Sequence, residues 1–323
     1  MSVLDPFETR LSRRGFLKWC GYLASSLALP ASLIPQIAAG LERTPRLPVI
    51  WLSFQSCSGC AESLTRSATP TLESLILDFV SLDFHPLLQA SAGTAAERSC
   101  QASIKSNFGR YLLIVEGAIP IHAHGAYATC AGQSGLKQLA EATEGAAAII
   151  AVGSCAAFGG IPQAHPNPTG AHSVHELMVA GRIPQRPLVN LPGCPPLPIA
   201  MAATLAHIVV FGAFPRLDAR KRPVVFYGQT IHDHCSRLSC FQQGLFAERF
   251  DDLGARNGWC LFKLGCKGPA THNACSLHKW NDGLSFPVES GHPCLGCSEP
   301  GAWDRDGLYH PIKVNLAMHN RSP

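Results

Sequence analysis

The sequence predicts an α/β protein, a parallel, doubly wound sheet followed by a smaller and irregular domain held together by cysteines. Three observations predict it. Short apolar runs alternate with amphipathic stretches through residues 45–222, regular patterning fades over residues 223–323, and most of the fourteen cysteines sit either after an apolar run or in that second region. Apolar residues make up 46% of the chain and charged residues 15%, which excludes a disordered chain. A net charge of +4 without clustered cations gives a nucleic-acid binder no electrostatic footprint.

Residues 1–39 read as an export signal. Arg13 and Arg14 follow Ser12 and precede Phe16, Leu17 and Lys18, a weakly apolar stretch follows, and Ala38 and Ala39 stand before Gly40. That is the twin-arginine pattern. A spanning helix is the competing reading, but Pro30 and Pro35 interrupt the stretch and Ala-Ala-Gly suits cleavage. This export route carries folded proteins, often with a cofactor already inserted.

The runs LPVIWLSF, LDFVSLDF, RYLLIVEGA, AAAIIAVGS and RPLVNLPG read as buried strands. Helical patterns cover Ser134 to Glu144 after the third run and Leu197 to Phe211 after the last. Strands alternating with helices predict a parallel sheet with helices on both faces. The charged, proline-flanked segment PRLDARKRP, residues 215–223, reads as a boundary linker. Beyond it VVFYGQTIHDHC is expected to open with a short strand, and helical periodicity is confined to about Cys240 to Leu253. A region so poor in regular elements needs a staple, and the cysteines are the available one.

Four cysteines fall at the carboxyl ends of predicted strands: Cys57 and Cys60 in CSGC, Cys155 in GSC and Cys194 in PGCPP. That edge is where open α/β sheets place ligands. Four converging thiolates could hold zinc or an iron–sulfur cluster, whereas two disulfides or a redox dithiol are the alternatives. The glycines and prolines framing Cys155 and Cys194 favour the metal readings. No G-x-G-x-x-G or Walker lysine supports a nucleotide site. In the second region His232, Cys235, Cys260 and Cys266 form one set, which zinc would also fit; Cys275, Cys294 and Cys297 form another. The latter offers three ligands, which a three-iron cluster explains and zinc does not.

These residues carry a resemblance. The stretches HDHCSRLSCFQQGLFAERFDDLGARNGWCLFKLGCKGPATHNAC and GHPCLGCSEPGAWD, together with PGCPPLP, VGSCAAFGG, VEGAIP and CSGCAESLTRS, resemble the small subunit of a nickel–iron hydrogenase over nearly the whole chain. The resemblance implies a flavodoxin-like sheet domain and three clusters. Cys57, Cys60, Cys155 and Cys194 match the ligands of a proximal [4Fe–4S] cluster; His232, Cys235, Cys260 and Cys266 match those of a distal [4Fe–4S] cluster; Cys275, Cys294 and Cys297 match a medial [3Fe–4S] cluster. Pro287 stands where members with a three-iron centre carry proline. The implied role is electron transfer from hydrogen oxidation at a nickel–iron centre in a separate large subunit. The acceptor would be a cytochrome or a membrane-anchored partner, because no anchor helix precedes the terminal NLAMHNRSP. A neutral histidine ligand in place of a thiolate implies a higher distal potential. The competing readings are an exported binding protein stabilised by zinc or disulfides, and a related quinone-reductase subunit, which lacks the second cysteine region.

Three departures from the family pattern stand out. Gly59 and Gly160 occupy the places of two additional cysteines in oxygen-tolerant members, which implies an ordinary proximal cubane and conventional oxygen sensitivity. Ser56 replaces a glutamate that many relatives carry before the first proximal cysteine. Cys20 is expected to leave with the signal, Cys100 and Cys130 are expected to be ordinary thiols, and Cys240 has no assigned role. His234 is a neighbouring alternative to His232, and Glu116 either bonds near the clusters or is satisfied by loop amides. His122, His124, His165 and His172 read as solvated loop histidines.

Overall fold

Valine, isoleucine and leucine at successive positions make each predicted run a strand that must be covered on both faces. The strands are β1 (Leu47–Ser53), β2 (Val80–Phe84), β3 (Tyr111–Glu116), β4 (Ala146–Val152) and β5 (Leu188–Leu191). All pair in parallel in the order β2-β1-β3-β4-β5. This is the doubly wound order of flavodoxin-like sheets. The chain is described here from a computed structural model, which covers residues 18, 20–22, 24–25, 27–43, 46–68, 70–281, 283–305 and 307–312. Arg13 and Arg14 of the twin-arginine pattern and the terminal stretch after Ile312 lie outside the described residues.

Side chains alternate between two cores with the strand period of two. Val49, Trp51, Leu112, Ile114, Ile150 and Val189 face one, whereas Ile50, Leu52, Leu113, Val115, Ile149 and Leu188 face the other. Helices α1 (Ile34–Arg43), α2 (Gly59–Thr65), α3 (Gly93–Ser106), α4 (Gly135–Glu144), α5 (Gly153–Phe158), α6 (Val174–Val179) and α7 (Pro198–Phe211) cover the sheet or lead off its edge. Ser134 caps α4 through its side chain, and the Pro at the start of α7 presets its first turn. Helix α7 is apolar on nearly every side, and both sides are used. It lies on the sheet, and α1 packs against it, while Cys20, Ala24, Leu27 and Ile37 join the same core. Among the described residues no helix is long and apolar enough to cross a membrane.

The second region has its own small core of Ile231, Ala247, Leu261, Leu264, Phe286 and Val288, completed by Cys266 and Cys294. Three expectations are corrected. The second strand begins only at Val80, because Thr71 caps a helical run through Leu72–Ser74 that continues as a wide turn over Leu75–Phe79. Val224–Tyr227 is a helical turn, not a strand. The edge of β5 is already occupied, since Asn190 bonds the carbonyls of Lys221 and Arg220, each at 2.9 Å. The periodic stretch from Cys240 splits into Leu238–Gln242 and Leu253–Arg256, where Gly244 turns the chain at φ 71° and Asp252 caps the second piece.

The expected linker at 215–223 is pinned rather than loose. Arg222 is buried, and its Nη1 lies 3.0 Å from Glu299 Oε1 while its Nε lies 2.8 Å from Asp218 Oδ2. Arg220 meets the other Glu299 oxygen, and the backbone N–H of His272 donates to Glu299 at 2.8 Å. Across the same seam Ser154 Oγ donates to the carbonyl of Cys297 and accepts from the N–H of Gly193. Replacing Arg222 with Met leaves a buried carboxylate underpaired, so chemical denaturation of the variant is expected to show a loss on the order of 3 kcal/mol. Burial also holds the imidazoles of His85, His207 and His278 below the ordinary histidine value of 6.5. The unfolded chain therefore binds more protons below that value. Stability should be fullest above about pH 6.5 and fall as pH drops through the depressed folded values, which unfolding curves across that range would record.

Candidate metal centres

The loops that leave β1, β4 and β5 converge at one end of the sheet. After β1, Ser56 Oγ accepts the N–H of Ser58 at 2.9 Å and Ser58 adopts φ 62°, so α2 starts at once and carries Cys60. After β4, Gly153 at φ 85° opens α5, which carries Cys155. After β5, Gly193 leads to Cys194. Strand order reverses between β1 and β3, so Cys57 and Cys60 lie at the switch point of the sheet.

A Cβ on Gly153 would run into Cys60 Sγ, and one on Gly160 would lie 2.7 Å from Cys155 Sγ. Backbone thus approaches these thiols as closely as glycine permits, a cradle suited to a bulky sulfur-ligated group. Burial pushes the Cys60 thiol far up, reinforced by Glu116 and by Cys155, Cys194 and Cys57. Cys194 is exposed at the rim, yet partial burial of its thiol raises it to about 12, helped by Cys297, Cys155 and Cys57. The four thiols are therefore electrostatic neighbours of one another.

Glu116, at the end of β3, is buried and fastens this edge. It accepts from Trp51 Nε1 at 3.1 Å, from Ser53 Oγ at 3.3 Å, and from the N–H groups of Cys60 and Ala61 at 3.2 and 3.4 Å. Both readings of this residue meet here, because the amides that satisfy it belong to the cysteine loop.

In the second region Cys275, Cys294 and Cys297 wall a cavity of about 450 Å³ together with Cys194, Pro287, Trp280 and Trp303. The thiol of Cys275 is raised by burial and then by Cys297, with a hydrogen bond from Trp280 opposing. Trp303 Nε1 is a buried donor with no partner among the described residues. His232, Cys235, Cys260 and Cys266 line a separate pocket with Arg237, Phe241 and Phe262. The His232 ring meets Phe241 edge to face at 4.5 Å. His234 is exposed and bonds Gln229 Oε1 at 2.7 Å, away from that pocket. The sites are contiguous. Cys194 belongs to the first set and lines the cavity of Cys275, while the N–H of Cys294 bonds Cys266 Sγ at 3.4 Å.

Of the remaining cysteines, Cys20 and Cys100 are buried in apolar cores and Cys130 is exposed, whereas Cys240 neighbours Cys235 and Cys260 and its Sγ donates to the carbonyl of Gly258 at 4.0 Å. Among the described residues no cysteine is joined in a disulfide. His122, His124 and His165 are exposed and His172 is half-buried against the carbonyl of Gly170. Ser154, Arg237, Glu299 and Trp303 were not singled out in the sequence. Their position beside cysteine motifs is the only signal that could have drawn attention to them.

A parallel sheet with thiols gathered at its carboxyl edge, continued by a cysteine-walled second region, is the architecture of a protein built around sulfur-ligated centres. Comparison with known proteins agrees. Residues 227–310 match the family described as the C-terminal region of the NiFe/NiFeSe hydrogenase small subunit, and residues 57–208 match the family described as NADH ubiquinone oxidoreductase, 20 Kd subunit. The chain is 46% identical to the hydrogenase-1 small chain of Citrobacter freundii, covering 94% of this chain and 79% of that one. It is 43% identical to the quinone-reactive Ni/Fe-hydrogenase small chain of Wolinella succinogenes, covering 95% and 86%. A solved structure of the reduced, active Ni-Fe-Se hydrogenase of Desulfomicrobium baculatum superposes with a TM-score of 0.77 at 34% identity, covering 83% of this chain and 100% of that one. The chain belongs to the family of nickel–iron hydrogenase small subunits.

Replacing Glu116 with Ala strands the N–H donors of Trp51, Cys60 and Ala61. The variant is expected to lose about 1–3 kcal/mol in denaturant unfolding and to show faster amide exchange at Cys60 and Ala61.

Proposed function

We propose that the chain is the electron-transferring small subunit of a nickel–iron hydrogenase, relaying electrons from hydrogen oxidation in a partner large subunit to an external acceptor. The observation that carries this reading is the contiguity of the three sulfur-lined sites, which run from the sheet edge through the cavity of Cys275 to the pocket of His232. In this reading Cys57, Cys60, Cys155 and Cys194 hold a [4Fe–4S] cluster, Cys275, Cys294 and Cys297 a [3Fe–4S] cluster, and His232, Cys235, Cys260 and Cys266 a second [4Fe–4S] cluster. Such clusters, when bound, supply one-electron redox chemistry. The chain's own residues hold them, exclude water and set their order.

Pro287, a side chain without ligand atoms, lines the cavity of the three-cysteine set, which supports three irons rather than four there. Cys57 and Cys194 are exposed, so the first site is open on one side. That rim is the place for the large subunit, which closes the site from solvent. The twin arginines direct the folded protein across the membrane, and clusters inserted beforehand would reach an oxidising compartment with their thiols already occupied. A cytochrome or a membrane-anchored protein then takes the electrons, and the Wolinella relative is named as quinone-reactive. With Gly59 and Gly160 in place of additional cysteines, the proximal cluster has no sulfur ligand beyond its four, and the enzyme is oxygen-sensitive.

Iron and acid-labile sulfide analysis of the complex purified without oxygen tests the assignment. About eleven irons per small subunit are expected beyond those of the large subunit, with no zinc. Stoichiometric zinc, or thiols recovered as disulfides without iron, would overturn it.

A further inference from the structure

Arg237 lies two residues after Cys235 and lines the pocket shared by His232, Cys235, Cys260 and Cys266. Its backbone N–H donates to Cys235 Sγ at 3.4 Å. Among the described residues its guanidinium is engaged by carbonyl oxygens: Nη1 donates to Trp259 at 2.7 Å, Nε to Val288 at 2.9 Å and Nη2 to Glu289 at 3.5 Å. Among the described residues no carboxylate lies within ion-pair distance of it. The carboxylate of Glu289 pairs with Lys279 at 3.0 Å, and Asp233 accepts the N–H of Thr230 at 2.7 Å.

An arginine is charged at every relevant pH, and a partly buried cation is ordinarily matched by an anion. This one is half-buried and held in a fixed orientation beside three thiols, with no acid in ion-pair range among the described residues. The acidic groups on which its charge acts are the pocket's own thiols, Cys235 and Cys266. A neutral imidazole at His232 leaves that ligand set one negative charge lighter than four thiolates. Arg237 adds a full positive charge at the same place.

We propose that Arg237 is a positioning residue that sets the reduction potential of the centre held by His232, Cys235, Cys260 and Cys266. The proposal rests on assigning an iron–sulfur cluster to that pocket. Reduction adds one electron and one unit of negative charge to the centre, with no bond made or broken and no proton moved. A fixed adjacent cation stabilises the more negative state, so it raises the potential. The centre nearest the outgoing end of the relay thereby becomes a better electron acceptor from the sites behind it.

The test compares Arg237→Lys and Arg237→Gln in the native complex by redox titration followed by electron paramagnetic resonance, with iron analysis of each. Lysine keeps the charge but cannot reproduce the three-carbonyl fork, whereas glutamine keeps some hydrogen bonding and loses the charge. The expected result is a distal potential lowered in Arg237→Gln by about 59 mV, a tenfold change in a one-electron equilibrium, with Arg237→Lys near wild type and the other centres unmoved. Loss of the distal iron from the Gln variant alone would also require the charge. Equal shifts in both variants, no shift in either, or loss of the centre from both would make Arg237 a structural tie and overturn the proposal. Absence of iron from the wild-type complex would overturn the cluster assignment and the proposal together. That outcome is distinct from variants that fail to diverge in a complex that carries its iron.

Discussion

The constraint on which the rest of the structure depends is the cost of gathering thiols away from water. Burial pushes Cys60, Cys260, Cys275 and Cys294 up, and each is raised further by neighbouring thiols. A group ligated by thiolates must displace those protons on binding, so its affinity is spent partly on deprotonation and partly on ordering the chain around it. The second region shows why this matters. Its apolar core is small, its helices are single turns, and cysteines line its cavities. A group ligated there by sulfur would contribute to folding as much as to function.

Two buried carboxylates hold the frame in which the thiols stand. Glu116 ties the first cysteine loop to the strand ends, and Glu299 ties the second region to the segment after α7. They are satisfied differently. Among the described residues Glu116 accepts N–H and O–H donors and pairs with no cation, as a carboxylate beside a helix start can. Glu299 is matched by Arg222 and Arg220, so its burial is tolerated only while that charge is present. Ser154, next to Cys155, bonds the carbonyl of Cys297, which makes the sheet edge and the second region one wall.

Much of the sheet domain was legible in the sequence because its signals are local. Five apolar runs became five strands, and the Ser134 and Leu197 boundaries of α4 and α7 fell where the side-chain cap and the proline put them. The errors have a common cause. Val224–Tyr227 has strand composition, but the strand edge it would join is held by Lys221 and Arg220. The stretch after Cys240 has helical periodicity, but Gly244 and Asp252 divide it. In each case a neighbour in space or a backbone requirement overrode local preference. The charged run 215–223 lies where the chain passes from the sheet domain to the second region, and only the structure shows Arg220 and Arg222 held there by Glu299.

The sequence by itself determined where the cysteines stand along the chain, the alternation that builds a parallel sheet, and the family. Those properties reside in residue type and spacing, which are one-dimensional. Only the tertiary structure decided that Cys194 borders two sites, that Cys294 and Cys266 touch and that, among the described residues, the buried Trp303 Nε1 has no acceptor and Arg237 no acid. Those are facts of proximity between residues far apart along the chain, and they depend on how strand ends and short turns are folded onto one another.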